Sequence, residues 1–168
     1  MNVFGELLAI KRFREGQAEL AVARQRKIHA EAEHQRDVAS EQLVEYKIWA
    51  QHQEDGFYQD LCSRVVRVRE IENVLEGVAE LRHGERDHQA RVETADKNVT
   101  VQAETLAERR LSHRLASRMT EKFVELAQIH LAEHVRELER KEDSEMEEAA
   151  SVARERDDWT EHEEYEPS

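Results

Sequence analysis

The stretch CSRVVRVR, residues 62–69, interrupts a sequence that otherwise has the composition of continuous helix. Three of its residues are valines, whose β-branched side chains lose rotamer freedom in a helix and lower its propensity. Ser63 can cap a helix that begins after it. A competing site for a reversal is the segment 77–84, which has a glycine at each end. The residues alone leave both segments open as the place where the chain turns back.

Long helical patterns flank the stretch 62–69 on both sides. Before it, apolar residues in steps of three and four predict one helix over about residues 3–61. After it, the same spacing predicts a second helix over about residues 70–140. The single proline is Pro167, so proline interrupts neither helix. We therefore predict an all-α fold, an antiparallel two-helix coiled-coil hairpin in which the two apolar stripes pack together.

The predicted seam between the two helices is thin and rich in alanine, which permits close approach but contributes little burial. On the first helix it comprises Leu7, Ile10, Ala21, Ile28, Ala32, Ala39, Leu43, Tyr46, Trp49, Ala50, Phe57 and Leu61. On the second helix it includes Ile71, Leu75, Val78, Leu81, Val92, Ala95, Val99, Leu106, Leu111, Leu115, Met119, Phe123, Leu126, Leu131, Val135 and Leu138.

The composition changes from residue 141 onward. Residues 141–168 contain twelve Asp and Glu against three Lys and Arg, and this net of −9 accounts for most of the chain's −13. Few apolar residues remain to form a seam. We predict an acidic C-terminal tail over residues 141–168 that is a frayed helix or partly disordered.

Charge and composition exclude several classes of partner. A net charge of −13 disfavours nucleic acid and anionic membranes as main partners. No apolar run approaches the roughly 18–20 residues that a membrane span needs, and the start of the chain lacks the pattern of a signal peptide. The single Cys62 allows no internal disulfide, as suits a reducing cytoplasm. We therefore expect a cytoplasmic protein without direct membrane insertion.

Catalytic and metal-binding patterns are weak. Three Glu-x-x-His pairs have the spacing that binds di-iron centres in four-helix bundles, but chance alone predicts about two in a chain so rich in glutamate. They are Glu31/His34, Glu80/His83 and Glu85/His88. No phosphate-binding loop or nucleophile elbow occurs, and Cys62 has no catalytic context. We predict that the protein is not an enzyme, needs no cofactor or metal, and acts by binding proteins.

Four short segments occur in a characteristic order and spacing. The first is the spaced pattern Leu8, Lys11, Arg14-Glu15 and Ala18. The other three are continuous: Tyr46-Lys47-Ile48-Trp49, Arg69-Glu70-Ile71-Glu72 and Lys122-Phe123-Val124-Glu125-Leu126, with the acidic tail after them. With these the chain resembles, over nearly its whole length, the YscO proteins of bacterial type III secretion systems, relatives of the flagellar stalk protein FliJ. The second helix of such proteins begins at the third segment, so the resemblance favours a turn at 62–69. Gly77 and Gly84 depart from the pattern, since they should soften the second helix.

The resemblance implies the role of a central stalk. The end that bears both termini would sit in the pore of the hexameric export ATPase, and the turn would point to the cytoplasmic ring of the export gate. Such a stalk would couple the ATPase to the gate from the bacterial cytoplasm, at the inner-membrane base of the apparatus. The family is also linked to secretion chaperones. The alternative function is therefore a coiled-coil adaptor that binds chaperones or tethers partners without regulating an ATPase.

Within this interpretation we predict two sets of partner-binding residues, which combine basic with apolar side chains. For the ATPase they are Leu7, Leu8, Ile10, Lys11, Arg12 and Arg14, with Leu131, Val135 and Leu138 on the partner helix. For the gate they are Arg64, Arg67, Ile71, Leu75 and Val78. The competing interpretation assigns Ile71, Leu75 and Val78 to the coiled-coil seam.

Overall fold

The computed structural model describes residues 3–163, which form two α-helices: α1 spans Val3–Ser63 and α2 spans Val68–Glu163. Within each of two compact units, α1 packs antiparallel on α2. The turn unit contains residues 16–115, and the terminal unit contains the described residues 3–15 and 116–163. The predicted fold class, an all-α antiparallel two-helix hairpin, is confirmed.

The chain reverses direction over residues 64–67, inside the predicted stretch 62–69. The carbonyl of Arg67 accepts hydrogen bonds from the amides of Glu70 (3.0 Å) and Ile71 (3.3 Å), which begins α2. The Glu70 carboxylate in turn accepts a hydrogen bond from the Arg67 amide at 2.8 Å, one half of a capping box. Ser63 does not cap α2 as expected. Its hydroxyl donates to the Asp60 carbonyl (3.0 Å) and so belongs to the end of α1.

The two glycines of the competing segment 77–84 lie inside α2 and face α1. A methyl group on Gly77 would lie 3.3 Å from a ring carbon of Phe57. A methyl group on Gly84 would overlap the hydroxyl group of Tyr46, which donates a hydrogen bond to the Leu81 carbonyl at 2.9 Å. These glycines therefore make room for aromatic side chains of α1 and do not form a turn.

The seam of the turn unit agrees with part of the predicted stripe, since Ala32, Leu43, Ala50, Leu81 and Leu106 are buried as expected. Val22 is also buried, although the predicted stripe did not include it. The side chain of Gln25 is also buried, and it donates hydrogen bonds to the side-chain oxygen (2.7 Å) and the carbonyl (3.2 Å) of Gln102. Because each buried polar atom has a partner, the two glutamines can occupy the interface.

Several large apolar residues assigned to the seam are exposed instead. These are Ile10, Ile28, Trp49, Ile71, Leu75, Leu111, Leu115, Met119, Leu126, Leu131, Val135 and Leu138. The prediction followed apolar residues in steps of three and four, whereas close helix packing also fills seam positions with glycine, glutamine or threonine. The more hydrophobic neighbours consequently remain exposed.

In the terminal unit α2 continues well past the predicted end near residue 140. It remains helical through Glu163, so residues 141–163 are helix, one of the two states expected for the tail. Residues 164–168 lie outside the described part of the chain. Helix-favouring Glu, Ala, Arg and Met predominate after residue 140, and neither glycine nor proline occurs before Pro167. High helix propensity thus stabilises α2 over residues 135–161, where every side chain is exposed.

Candidate interaction surfaces

The first candidate surface surrounds the reversal of the chain. Val65 is 100% exposed, and Val68, Ile71 and Leu75 are exposed as well. Steps of three and four place the last three on one face of α2. We define Val65, Val68, Ile71, Leu75 and the exposed Arg67 as the turn surface. Contiguous exposed apolar side chains beside a charge are typical of protein-binding sites.

The arginines at the turn have different environments. The Arg64 guanidinium bonds the carboxylates of Asp60 (3.1 Å) and Glu70 (3.0 Å), and these hydrogen bonds raise its pKa. Among the described residues the Arg67 side chain makes no ion pair. The structure therefore gives Arg64 an architectural role in joining the end of α1 to the start of α2, whereas the charge of Arg67 is available to a partner.

The structure also separates the two interpretations of Ile71, Leu75 and Val78. Ile71 and Leu75 are exposed, and they do not belong to the seam. Val78 is half-buried beside the seam residue Leu81. The three apolar residues of the predicted gate set thus divide into two that are exposed and one that is half-buried.

The second candidate surface belongs to the N-terminal end of α1, in the terminal unit. Leu7 and Leu8 are half-buried, whereas Ile10, Arg12 and Arg14 are exposed. Lys11 is engaged internally. Its ammonium group lies 5.2 Å from the centre of the Phe123 ring, and its carbonyl accepts a 3.4 Å hydrogen bond from Thr120. Of the basic residues predicted here, Arg12 and Arg14 are the accessible ones.

An open groove joins this end of α1 to the predicted residues of α2. Leu8 and Leu131 line it together with Gly5, Val124, Ala127, Gln128, His130 and His134. The rings of Phe4 and His130 pack beside it, with centroids 4.8 Å apart. Leu131 is 63% exposed, and Val135 and Leu138 are exposed further along α2. We define Leu8, Leu131, Val135 and Leu138 as the terminal surface. The structure therefore brings Leu8 and Leu131 together, as the sequence predicted for residues of one site.

The sequence analysis missed three kinds of exposed apolar residue. It treated Val65 and Val68 only as helix breakers, it assigned Trp49 to the seam, and it gave no role to Val152 and Trp159. The ring of Trp49 lies beside that of Tyr46, tilted by 48° with centroids 5.6 Å apart. The recurrence of Val152 and Trp159 at seven-residue spacing was a usable signal, because it continues the heptad of Leu138.

Residues 3–163 contain no group of three or more His, Cys, Asp or Glu side chains placed to hold a metal ion. No helix in that range has an apolar segment long enough to cross a membrane. Cys62 is an exposed free thiol at the end of α1. A helical hairpin whose large apolar side chains are mainly exposed, and not enclosed in a core, is characteristic of proteins that bind other proteins.

The comparisons with known proteins agree with the resemblance seen in the sequence. The profile of the type III secretion protein YscO family matches residues 4–152. The crystal structure of the type III secretion protein YscO from Vibrio parahaemolyticus superposes with a TM-score of 0.82 at 28% identity, covering 86% of this chain and 91% of that one. A comparison with curated proteins gave no match. The chain belongs to the YscO family of type III secretion proteins.

Proposed function

We propose that this type III secretion protein is the central stalk that couples the hexameric export ATPase to the export gate. The terminal unit binds the ATPase, and the turn unit binds the cytoplasmic ring of the gate. In this role the protein works in the bacterial cytoplasm, at the inner-membrane base of the secretion apparatus. It performs no catalysis of its own and needs no cofactor.

One observation carries the proposal: each unit has an exposed apolar surface that the hairpin itself does not cover. In the turn unit this is the turn surface, where Val65 is fully exposed. In the terminal unit it is the terminal surface, where Leu131 lines the groove beside Leu8 and the exposed Val135 and Leu138 continue along α2. A stalk with two different partners requires two such surfaces.

The mechanism follows from symmetry. A single asymmetric chain inside a sixfold ring contacts its subunits unequally. If the chain binds closed and open subunits with different affinities, it shifts the populations of those states subunit by subunit. Nucleotide affinity then varies around the ring, because closure and nucleotide binding are linked. Such a device needs exposed binding surfaces and no catalytic residue.

The proposal for the turn unit is tested by exchanging Val65 and Val68 for aspartate. A carboxylate in the apolar contact should weaken binding to the purified cytoplasmic domain of the gate by at least about tenfold. Secretion of a reporter substrate by cells carrying the variant should fall correspondingly. The matched control is Val44→Asp with Val101→Asp, two other exposed valines of the turn unit, which should leave secretion and gate binding unchanged.

Two results would count against this assignment. Normal gate binding by the Val65→Asp, Val68→Asp variant, with helicity unchanged in circular dichroism, would remove the turn surface from the gate contact. Binding to a secretion chaperone that is lost in the same variant, with the gate unaffected, would instead favour the adaptor function. Arg67→Glu extends the test because its side chain is unpaired among the described residues, whereas Arg64→Glu would also disturb the turn itself.

A further inference from the structure

Beyond its last contacts with α1, helix α2 keeps a heptad pattern of apolar side chains. Leu138, Val152 and Trp159 are spaced by 14 and 7 residues, and Glu145 stands at the intervening position. All four continue the heptad position of Val124, which lines the groove beside Leu8. The side of α2 that faces α1 in the terminal unit therefore extends along residues that α1 does not reach.

Residues three or four positions from these heptad positions lie on the same side of α2 and complete its exposed face. We define the extension surface as Glu142, Glu145, Ala149, Val152, Arg156 and Trp159, which follow Leu138 of the terminal surface along α2. Every one of these side chains is exposed, and Trp159 is 75% exposed. An alternation of steps of three and four over three heptads is the pattern by which one helix of a coiled coil receives another. An exposed tryptophan on that pattern is a typical binding hot spot.

The charge of the segment selects the kind of helix that fits. Residues 141–163 carry ten Asp and Glu against three Lys and Arg, a net charge of −7. Glu142 and Glu145 lie within the extension surface, and Glu148 and Glu155 occupy flanking heptad positions. A second copy of this segment would bring like charges together, which disfavours self-association. A partner with lysines or arginines beside Glu142 and Glu145 would neutralise both carboxylates.

We propose that the extension surface binds an amphipathic, positively charged α-helix of another protein. Apolar residues of that helix at heptad spacing pack on Ala149, Val152 and Trp159, and its basic residues pair with Glu142 and Glu145. The inference goes beyond the proposed stalk function, because the ATPase contacts assigned there end at Leu138. The acidic C-terminal segment is thus a second helical docking site of the molecule.

A designed peptide tests the proposal on the full-length protein. The probe is a helix of about four heptads with leucine at the seam positions and lysine at the positions that oppose Glu142 and Glu145. Isothermal titration should show binding at moderate salt. Glu142→Lys with Glu145→Lys should weaken it at least tenfold, and a peptide with those lysines changed to glutamate should restore the affinity for this variant.

Asp143→Lys with Glu147→Lys is the matched control, since it makes the same charge change roughly on the opposite face of the helix. This variant should bind the lysine peptide within about twofold of the native protein. Equal weakening by both variants would overturn the proposal, because the attraction would then be general and not specific to the surface. So would a concentration-dependent dimer in sedimentation that Trp159→Asp abolishes, since the occupant would then be a second copy.

Discussion

At the scale of single residues, two glycines control how α1 and α2 pack in the turn unit. Gly77 and Gly84 would ordinarily weaken a helix, since glycine has the greatest backbone freedom. Here each faces an aromatic ring of α1, Phe57 and Tyr46 respectively. The hydrogen bond from Tyr46 to the Leu81 carbonyl depends on the missing side chain of Gly84.

Replacing Gly84 with alanine should therefore destabilise the protein, although alanine favours helix. The added methyl group would lie 2.6 Å from the Cζ atom of Tyr46, so the ring must move and its hydrogen bond must break. We expect the free energy of unfolding in urea to fall by about 1–3 kcal/mol.

The control is Gly56→Ala, because nothing lies within 4 Å of a methyl group there. Helix propensity alone should raise its free energy of unfolding by up to about 1 kcal/mol. Tyr46→Leu combined with Gly84→Ala should cost less than the sum of the two single changes. A Gly84→Ala protein as stable as Gly56→Ala would show that Tyr46 does not occupy the space above Gly84.

Glu70 links pH to the order of the turn. Its hydrogen bond from the Arg67 amide, and then its hydrogen bond from the Arg64 side chain, hold the pKa of its carboxyl below the ordinary value. The ionised Glu70 carboxylate therefore stabilises the turn fully above the glutamate pKa of the unfolded chain, about 4.3. This stabilisation is lost as the pH falls through the lower pKa of the folded protein.

The carboxyl carbon of Glu70, followed by NMR, should titrate at lower pH in the folded protein than in urea. Amide exchange of Arg67, corrected for its intrinsic pH dependence, should accelerate over the same range. Glu70→Gln should remove this added acceleration. Identical midpoints in the folded and unfolded chains would contradict the capping interaction.

At the scale of the helices, hydrophobic spacing predicted α1 and most of α2. The residues alone left two segments open for the turn, and the resemblance to the YscO family favoured 62–69. The valines at 65, 66 and 68 disfavour helix locally, and no such local signal marks the face that each helix presents. Spacing assigned Ile28 and Trp49 to the seam, yet both are exposed and Gln25, which was not assigned, is buried there. Which residue faces the partner depends on the register of both helices together, and one helix's periodicity does not contain that information.

The paired glutamines Gln25 and Gln102 should contribute more to register than to stability. A polar residue in a coiled-coil seam favours one alignment at some cost in free energy. Replacing both with leucine should raise the free energy of unfolding by about 1–3 kcal/mol, because apolar burial replaces a pair of hydrogen-bonded amides in the seam.

Gln35→Leu with Gln51→Leu is the control, since both side chains are exposed and each bonds a carboxylate four residues away. This variant should change the free energy of unfolding by less than about 0.5 kcal/mol. If the Gln25→Leu, Gln102→Leu variant were less stable than the native protein, the pair would be a determinant of stability.

At the scale of the whole molecule, the candidate surfaces were predictable to different degrees. Leu8 and Leu131 could be grouped because an antiparallel hairpin brings the start of α1 beside a late part of α2. The internal engagement of Lys11 with Phe123 could not be predicted, since it depends on the register of the two helices. The continuation of α2 through Glu163 could not be predicted either. Exposed helices and disordered chains are both rich in charged residues, so composition does not distinguish them.

Binding to the purified export ATPase tests the central claim most directly, with its rate of ATP hydrolysis measured in the same samples. The full chain should bind and stimulate hydrolysis, and Leu131→Asp with Leu138→Asp should weaken binding at least about tenfold. Leu20→Asp with Leu111→Asp, exposed leucines outside the terminal surface, should behave as the native protein. An ATPase that neither binds the chain nor responds to it, or that responds equally to both variants, would contradict the stalk.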